Sequence, residues 1–291
     1  ETPSEAPSEF PSEAPSEPVS PDPGSSPDPA ASAAVPVDRT MKYLIGGTNQ
    51  SLGLPLRHAK EISTMFQGFS PETIEFLWGI RFNNEKSWFE AHKQDYLTHL
   101  YQPMKELGAD VQDKMLERSP KSQLNLKISR IYRDARRLFG RGPYKDHLWL
   151  TLFRWDGGEE GARPSLWFEL TPDEWSYGMG FWCAKAAVME KHRARIDRDC
   201  KPLLKLADRL NRQDVFMLEG PEYARKKQAP HPRLTDWYNK KSLTVGCTRP
   251  LDEELYSPAL VDTLVEGFTF LMPYYDYFST LWAEGEIPEQ S

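Results

Sequence analysis

The chain has no run of eighteen or more apolar residues, so it offers no hydrophobic transmembrane helix. Cysteine is scarce: Cys183, Cys200 and Cys247 are odd in number and far apart, and they suggest neither a disulfide framework nor a Cys-x-x-Cys pair. No basic, apolar and cleavage-site pattern stands at the start, although an upstream piece could have been removed, since the chain lacks an initiator Met. A cytoplasmic location with no membrane span is therefore expected. The six histidines form no His-x-x-x-His or His-Glu-x-x-His pattern and pair with no cysteine, so no metal site is expected. Gly-x-Ser-x-Gly, Walker and Gly-x-Gly-x-x-Gly signatures are missing, and no cofactor is predicted. Gly178-Met179-Gly180 lies in a strand pattern, where small residues serve close backbone packing.

Excess positive charge is also missing. The chain carries a net charge of −7, and residues 1–40 account for all of it, with eight acids against Arg39. Residues 41–291 are neutral in sum, so attraction for a polyanion must come from local clustering. That same stretch, 1–40, holds ten of the 25 prolines in a Pro-Ser-Glu repeat marked by Pro3, Pro7, Pro11 and Pro15. Too little apolar surface exists there to offset the entropy of ordering, so it reads as a disordered acidic tail. Residues 41–64 read as a linker, and residues 65–291 as a single domain.

Within that domain, Ser70-Pro71-Glu72 signals a helix start, with Ile74, Leu77 and Trp78 on its apolar face. Asn84 is expected to cap a second helix bearing Trp88, Phe89, His92 and Tyr96, and Pro103 to begin a third that reaches Leu116. The period then shortens to two. Leu126–Tyr132, His147–Trp155, Ser165–Leu170 and Trp175–Trp182 read as an antiparallel meander, with turns at Asp156-Gly157-Gly158 and Thr171-Pro172-Asp173. A basic helical region follows over 186–212, broken near Pro202, then a strand near Ser242–Cys247 and a final apolar helix over 258–282 interrupted by Pro273. The expected class is α+β, an antiparallel sheet of about four or more strands flanked by N-terminal and C-terminal helices.

One segment concentrates charge. Residues 121–154 contain nine bases against Asp134 and Asp146, and six cations fall between Arg130 and Lys145. Two unit charges about 4 Å apart repel by roughly 4 kcal/mol at an effective dielectric of 20, so acid partners or a bound anion must offset the crowding unless the side chains splay into solvent. Arginine suits an anion because its planar fork grips carboxylate or phosphate with two parallel hydrogen bonds. Gly140 and Gly142 let the backbone come close to it. The alternative is internal pairing, Arg130 with Asp134 and Arg133 with an acid, for which Glu169, Asp173 and Glu174 are available. A second cluster, Asn83, Asn84, Lys86, Trp88 and His92, places Trp88 and His92 on one helix face, where His92 is a candidate acid–base group.

Four motifs occur in order: Met65-Phe66-x-Gly68-Phe69-Ser70-Pro71-Glu72-Thr73, Asn83-Asn84-x-Lys86-x-Trp88-Phe89-x-x-His92-Lys93, Ser129-Arg130-Ile131-Tyr132-Arg133-Asp134-x-Arg136 and Gly142-Pro143-Tyr144-Lys145. Together they resemble the bacterial and fungal family catalogued as domain of unknown function 2461, over Met65 to the early 280s. The resemblance implies a single compact α+β domain and brings no activity with it. Many members carry Arg-Phe-Ser-x-Asp-Lys after the Arg-Asp motif, where this chain has Arg136-Arg137-Leu138-Phe139-Gly140-Arg141.

The candidate ligand-binding residues are thus Arg130, Arg133, Asp134, Arg136, Tyr144 and Lys145, joined by Asn84, Lys86, Trp88 and His92. Three readings follow: a pocket for a small phosphate- or carboxylate-bearing ligand, a nucleic-acid-binding module, or a structural domain whose basic loop is paired internally. The neutral charge of residues 41–291 counts against nucleic acid as the partner.

Overall fold

Ser70 is extended and Pro71 opens helix α1 (Pro71–Phe82), as the Ser-Pro-Glu signal predicts. Its buried face is Thr73, Phe76, Leu77 and Ile80, so of the predicted Ile74, Leu77 and Trp78 only Leu77 belongs to it. Trp78 lies at the surface, stacked on Phe82 with Arg81 over its ring. This computed structural model describes residues 65–120, 122–138, 140–154, 163–181 and 183–281. The expected tail and linker lie outside them.

Short helices α2 (Lys86–Ala91) and α3 (Lys93–Asp95) lead through a π-helical turn, Tyr96–Tyr101, into α4 (Gln102–Arg118). Pro103 therefore lies in the first turn of a continuing helix rather than after a loop. A proline has no N–H to offer the carbonyl four residues earlier. Here that carbonyl, His99, accepts a hydrogen bond from the Thr73 hydroxyl of α1, which ties the two helices together.

The sheet has six antiparallel strands in the order β1-β2-β3-β4-β6-β5, two beyond the four-stranded meander. They are β1 (Leu124–Ile128), β2 (Leu148–Arg154), β3 (Ser165–Leu170), β4 (Glu174–Gly180), β5 (Met217–Glu219) and β6 (Thr244–Pro250). Helices α5 (Ala186–Arg198) and α6 (Lys201–Leu210) separate β4 from β5, with Pro202 in the first turn of α6. Helix α7 (Thr235–Asn239) precedes β6, and α8 (Ala259–Ser279) follows it. Together these elements form one α+β domain.

Alternation in the strands decides which face is covered. Leu148, Leu150 and Leu152 of β2, Leu166, Phe168 and Leu170 of β3, and Trp175, Tyr177 and Met179 of β4 are buried against α4 and α8. Trp149, Thr151, Trp167 and Glu169 occupy the opposite face and are half-buried. Gly178 and Gly246 pair across β4 and β6 beneath Trp167, and a Cβ on Gly178 would lie 2.5 Å from the Val245 carbonyl. The paired glycines thus serve close strand packing.

Pro273 does not interrupt α8. A proline inside a helix costs about 3 kcal/mol. Leu264, Val265, Phe268, Leu271, Tyr274, Tyr275 and Phe278 are all buried from this helix, and each full burial contributes roughly 1.5–3 kcal/mol. Burial on both sides of the proline therefore outweighs the lost hydrogen bond. Among the described residues no helix is long and apolar enough to cross a membrane.

Candidate functional site

β1 ends at Ile128, four residues earlier than the predicted strand, but the chain stays paired. Ser129 N–H donates to the Trp149 carbonyl at 2.8 Å, and its hydroxyl accepts from Trp149 N–H at 3.1 Å. Beyond it, Lys145 N–H donates to the Ile131 carbonyl and Arg133 N–H to the Pro143 carbonyl, both at 2.8 Å, around a Tyr132–Tyr144 bridge. The long connection is thus closed at its neck by a narrow ribbon, beyond which residues 134–138 and 140–142 loop out. Inside that excursion Asp134 accepts from Arg136 N–H at 3.1 Å and starts a 3-10 turn, Ala135–Arg137.

The ribbon is anchored by Asn84. Its amide donates to the Tyr144 carbonyl at 3.0 Å and accepts from Tyr144 N–H at 2.9 Å, so the side chain acts like one more β-strand residue. Glu85 is the residue that precedes α2, and Asn84 is not the predicted cap. Gly142 makes room for the clasp, because a Cβ there would meet Asn84 Oδ1 at 2.2 Å. Tyr144 is buried and stacks on Phe89 of α2 at 4.3 Å.

Asp146 is the centre of charge. Its carboxylate meets Arg81 Nε at 2.6 Å, His147 Nδ1 at 3.1 Å and Arg133 Nη2 at 3.5 Å. Arg81 also holds Asp173 at 2.7 Å. Burial pushes the Asp146 carboxyl up, but the hydrogen bonds from Arg81 and His147 win and hold it below the usual carboxylate range. His147 Nε2 faces Glu169 Oε1 at 3.8 Å. Burial raises the Glu169 carboxyl; His147 opposes this, while Glu174 and Asp146 add to it. Two neighbouring carboxyls are thus driven in opposite directions.

Arg133 Nε donates to the Tyr144 carbonyl at 2.7 Å, so its guanidinium braces the ribbon as well as Asp146. Lys145 Nζ donates to the Arg130 carbonyl and lies 4.3 Å from the Trp149 ring centroid. Burial lowers the Lys145 ammonium pKa, and Arg133 and Arg130 lower it further. The Arg130 guanidinium is exposed and makes no hydrogen bond or ion pair with any described residue.

The structure therefore brings together Arg130, Arg133 and Lys145 and separates the other candidates from them. Asp134 pairs with Arg136 at 2.8 Å, not with Arg130, and the Arg136 side chain is 88% exposed. Asn84 and Tyr144 are joints of the scaffold, and Lys86 is exposed on α2. Trp88 and His92 do not join the basic loop. One helical turn apart, they stack at 4.0 Å and line a cleft of about 340 Å³ with Phe76, Glu72, Glu75, Asp95 and His99. Three acids make that cleft unsuited to an anion. A second cleft of about 460 Å³ lies by β5 and β6, and its cation, Arg249, is held by Asp252 at 2.7 Å and by Glu254. Among the described residues no group of three His, Cys, Asp or Glu side chains is arranged to hold a metal ion.

Arg81, Asp146, His147 and Glu169 were missed as site residues by the sequence reading, which took Asp146 and Glu169 as generic acids and His147 as an unpaired histidine. A usable signal existed. His147 precedes the alternating strand β2 in the same parity as Trp149 and Thr151, which sends its ring to the face that α4 and α8 leave open.

A family model described as conserved hypothetical protein (DUF2461) matches residues 72–277. The chain belongs to this DUF2461 family. The matched span includes every residue of the cluster just described, from Arg81 to Glu169. No curated protein matches the chain.

Proposed function

We propose that this DUF2461 domain binds a small phosphate- or carboxylate-bearing ligand at Arg130 and Lys145. One observation carries the reading. The partly buried Lys145 ammonium has Arg130 and Arg133 as its charged neighbours, and the Arg130 guanidinium has no acid partner among the described residues. Cations gathered in this way repel one another, and a shared anion reverses the sign. Arg130 supplies the planar fork, Lys145 a point charge, and Arg133 a positive background fixed by Asp146.

Internal pairing accounts for Arg133 and Arg136 but leaves Arg130 and Lys145 without carboxylates. A stacking platform for single-stranded nucleic acid has less support, because Tyr144 is buried and Tyr132 packs against Phe89 at 5.7 Å. The test is titration with inorganic phosphate, followed by calorimetry and by chemical shifts. Saturable binding is expected in the parent chain and in Arg136→Ala. Arg130→Gln and Lys145→Met are expected to weaken it at least tenfold. Unchanged affinity in Arg130→Gln refutes the reading.

A further inference from the structure

Trp149, the indole under Lys145, has as its cross-strand partner a carboxylate, Glu169, to which no described residue donates a hydrogen bond. Glu169 is the cross-strand partner of Trp149, so the two side chains share the face left open by α4 and α8. Lys145 Nζ lies over the same indole at 4.3 Å, and the His147 ring stacks against it at 5.6 Å. Trp149 thus touches both Lys145 and His147 and is paired across the strands with Glu169.

The Glu169 side chain is only 25% exposed. A carboxylate offers about four acceptor positions, and burying it with these unfilled is costly. Among the described residues none donates a hydrogen bond to it. The nearest candidate, His147 Nε2, is at 3.8 Å, beyond hydrogen-bond range, and its other nitrogen is engaged by Asp146. Glu174 and Asp146 add negative charge to its surroundings. A simple anion on Arg130 and Lys145 makes this worse, since it adds one more negative group near Glu169. A hydroxyl fills one acceptor position but leaves the charge. An ammonium does both.

Resting on the anion-site reading, we propose that the ligand is a small soluble zwitterion. Its phosphate or carboxylate sits on Arg130 and Lys145, its primary ammonium on Glu169, and the short chain between them crosses Trp149. The site then holds a complementary pair of charges on each side, which gives specificity against plain anions as well as affinity.

The test compares 2-aminoethyl phosphate with ethyl phosphate, which lacks its amine, and takes inorganic phosphate as the reference. At neutral pH the parent chain is expected to bind 2-aminoethyl phosphate at least about tenfold more tightly than ethyl phosphate, as one charge-assisted hydrogen bond provides. Glu169→Gln, which keeps the shape, is expected to bring the two affinities together while still binding ethyl phosphate. Equal affinities in the parent chain overturn the zwitterion proposal and leave the anion site standing. This comparison needs no variant, so it holds even if Glu169→Gln misfolds. A preference that survives Glu169→Gln overturns the role given to Glu169. Failure of the parent chain to bind all three compounds, inorganic phosphate included, overturns the anion site itself.

Discussion

His192 makes acid stability a quantitative test of the packing. It lies on α5, fully buried, with Nε2 3.2 Å from the Trp237 carbonyl and with Nδ1 unpartnered. The rings of Phe278 and Tyr277 pack against it at 5.2 and 6.2 Å. Burial disfavours its charged form; the Trp237 carbonyl opposes this, and Arg195 and Arg193 reinforce it, so the pKa falls to about 4. In the unfolded chain the value is about 6.5. Between these two values the unfolded state binds a proton that the folded state refuses. Stability is therefore intact above about pH 6.5 and declines as pH falls towards 4. The shift corresponds to a loss of about 2 kcal/mol at pH 5 relative to pH 8, and about 3 kcal/mol at pH 4. Other groups titrate in this range, so the assay is a difference: urea unfolding of the parent chain and of His192→Gln at several pH values between 8 and 5. Glutamine keeps a donor for Trp237 and never charges. The parent chain is expected to lose about 2 kcal/mol more than the variant over that interval. Parallel pH profiles refute the reasoning.

Three further outcomes bear on the loop and the site. Arg133→Ala removes one of the two side-chain donors to the Tyr144 carbonyl, leaving Asn84, together with the contact to Asp146, and is expected to cost about 1–3 kcal/mol in urea unfolding, whereas Arg136→Ala, fully at the surface, should leave the melting temperature unchanged. Gly142→Ala should destabilise the chain by at least about 1 kcal/mol by displacing the Asn84 clasp, and the same change made in an Asn84→Ala background should cost much less, which a double-mutant cycle measures. Glu169→Gln should raise the melting temperature at neutral pH, and the gain should shrink as the pH is lowered. The folded-state pKa of Glu169 is raised, so its charged form costs stability that grows as pH rises past the unfolded value.

The elements with a strong period were legible. β2 and β3 alternate so regularly that their buried faces follow from parity, and β3 falls on the predicted residues 165–170. β5 was not legible, because three residues on a sheet edge, Met217–Glu219, bury too little to leave a pattern. On α1 the apolar face is rotated from the predicted one, since Trp78 finds Phe82 and Arg81 at the surface while Phe76 and Ile80 share the inward stripe. Pro273 misled because local propensity says nothing of how much apolar surface a helix buries.

The site was legible in composition and not in pairing. Charge density located the loop, and an acid for Arg133 was expected, but its partner is Asp146 rather than one of the acids on the neighbouring strands. Asp146 in turn is held by Arg81, 65 residues away in the chain, at the end of a helix that periodicity alone cannot place against the sheet. That long-range pair sorts the cations. Asp146 is shared by Arg81 and Arg133, and Asp134 is spent on Arg136, so the loop has no acid left for Arg130 and Lys145. Removing Asp146 would free Arg133 to join them and make the loop more cationic, yet it would also release the Arg81 tether and His147. The same carboxylate therefore limits the positive charge of the anion site and fixes its geometry, a coupling that no count of bases along the chain can express.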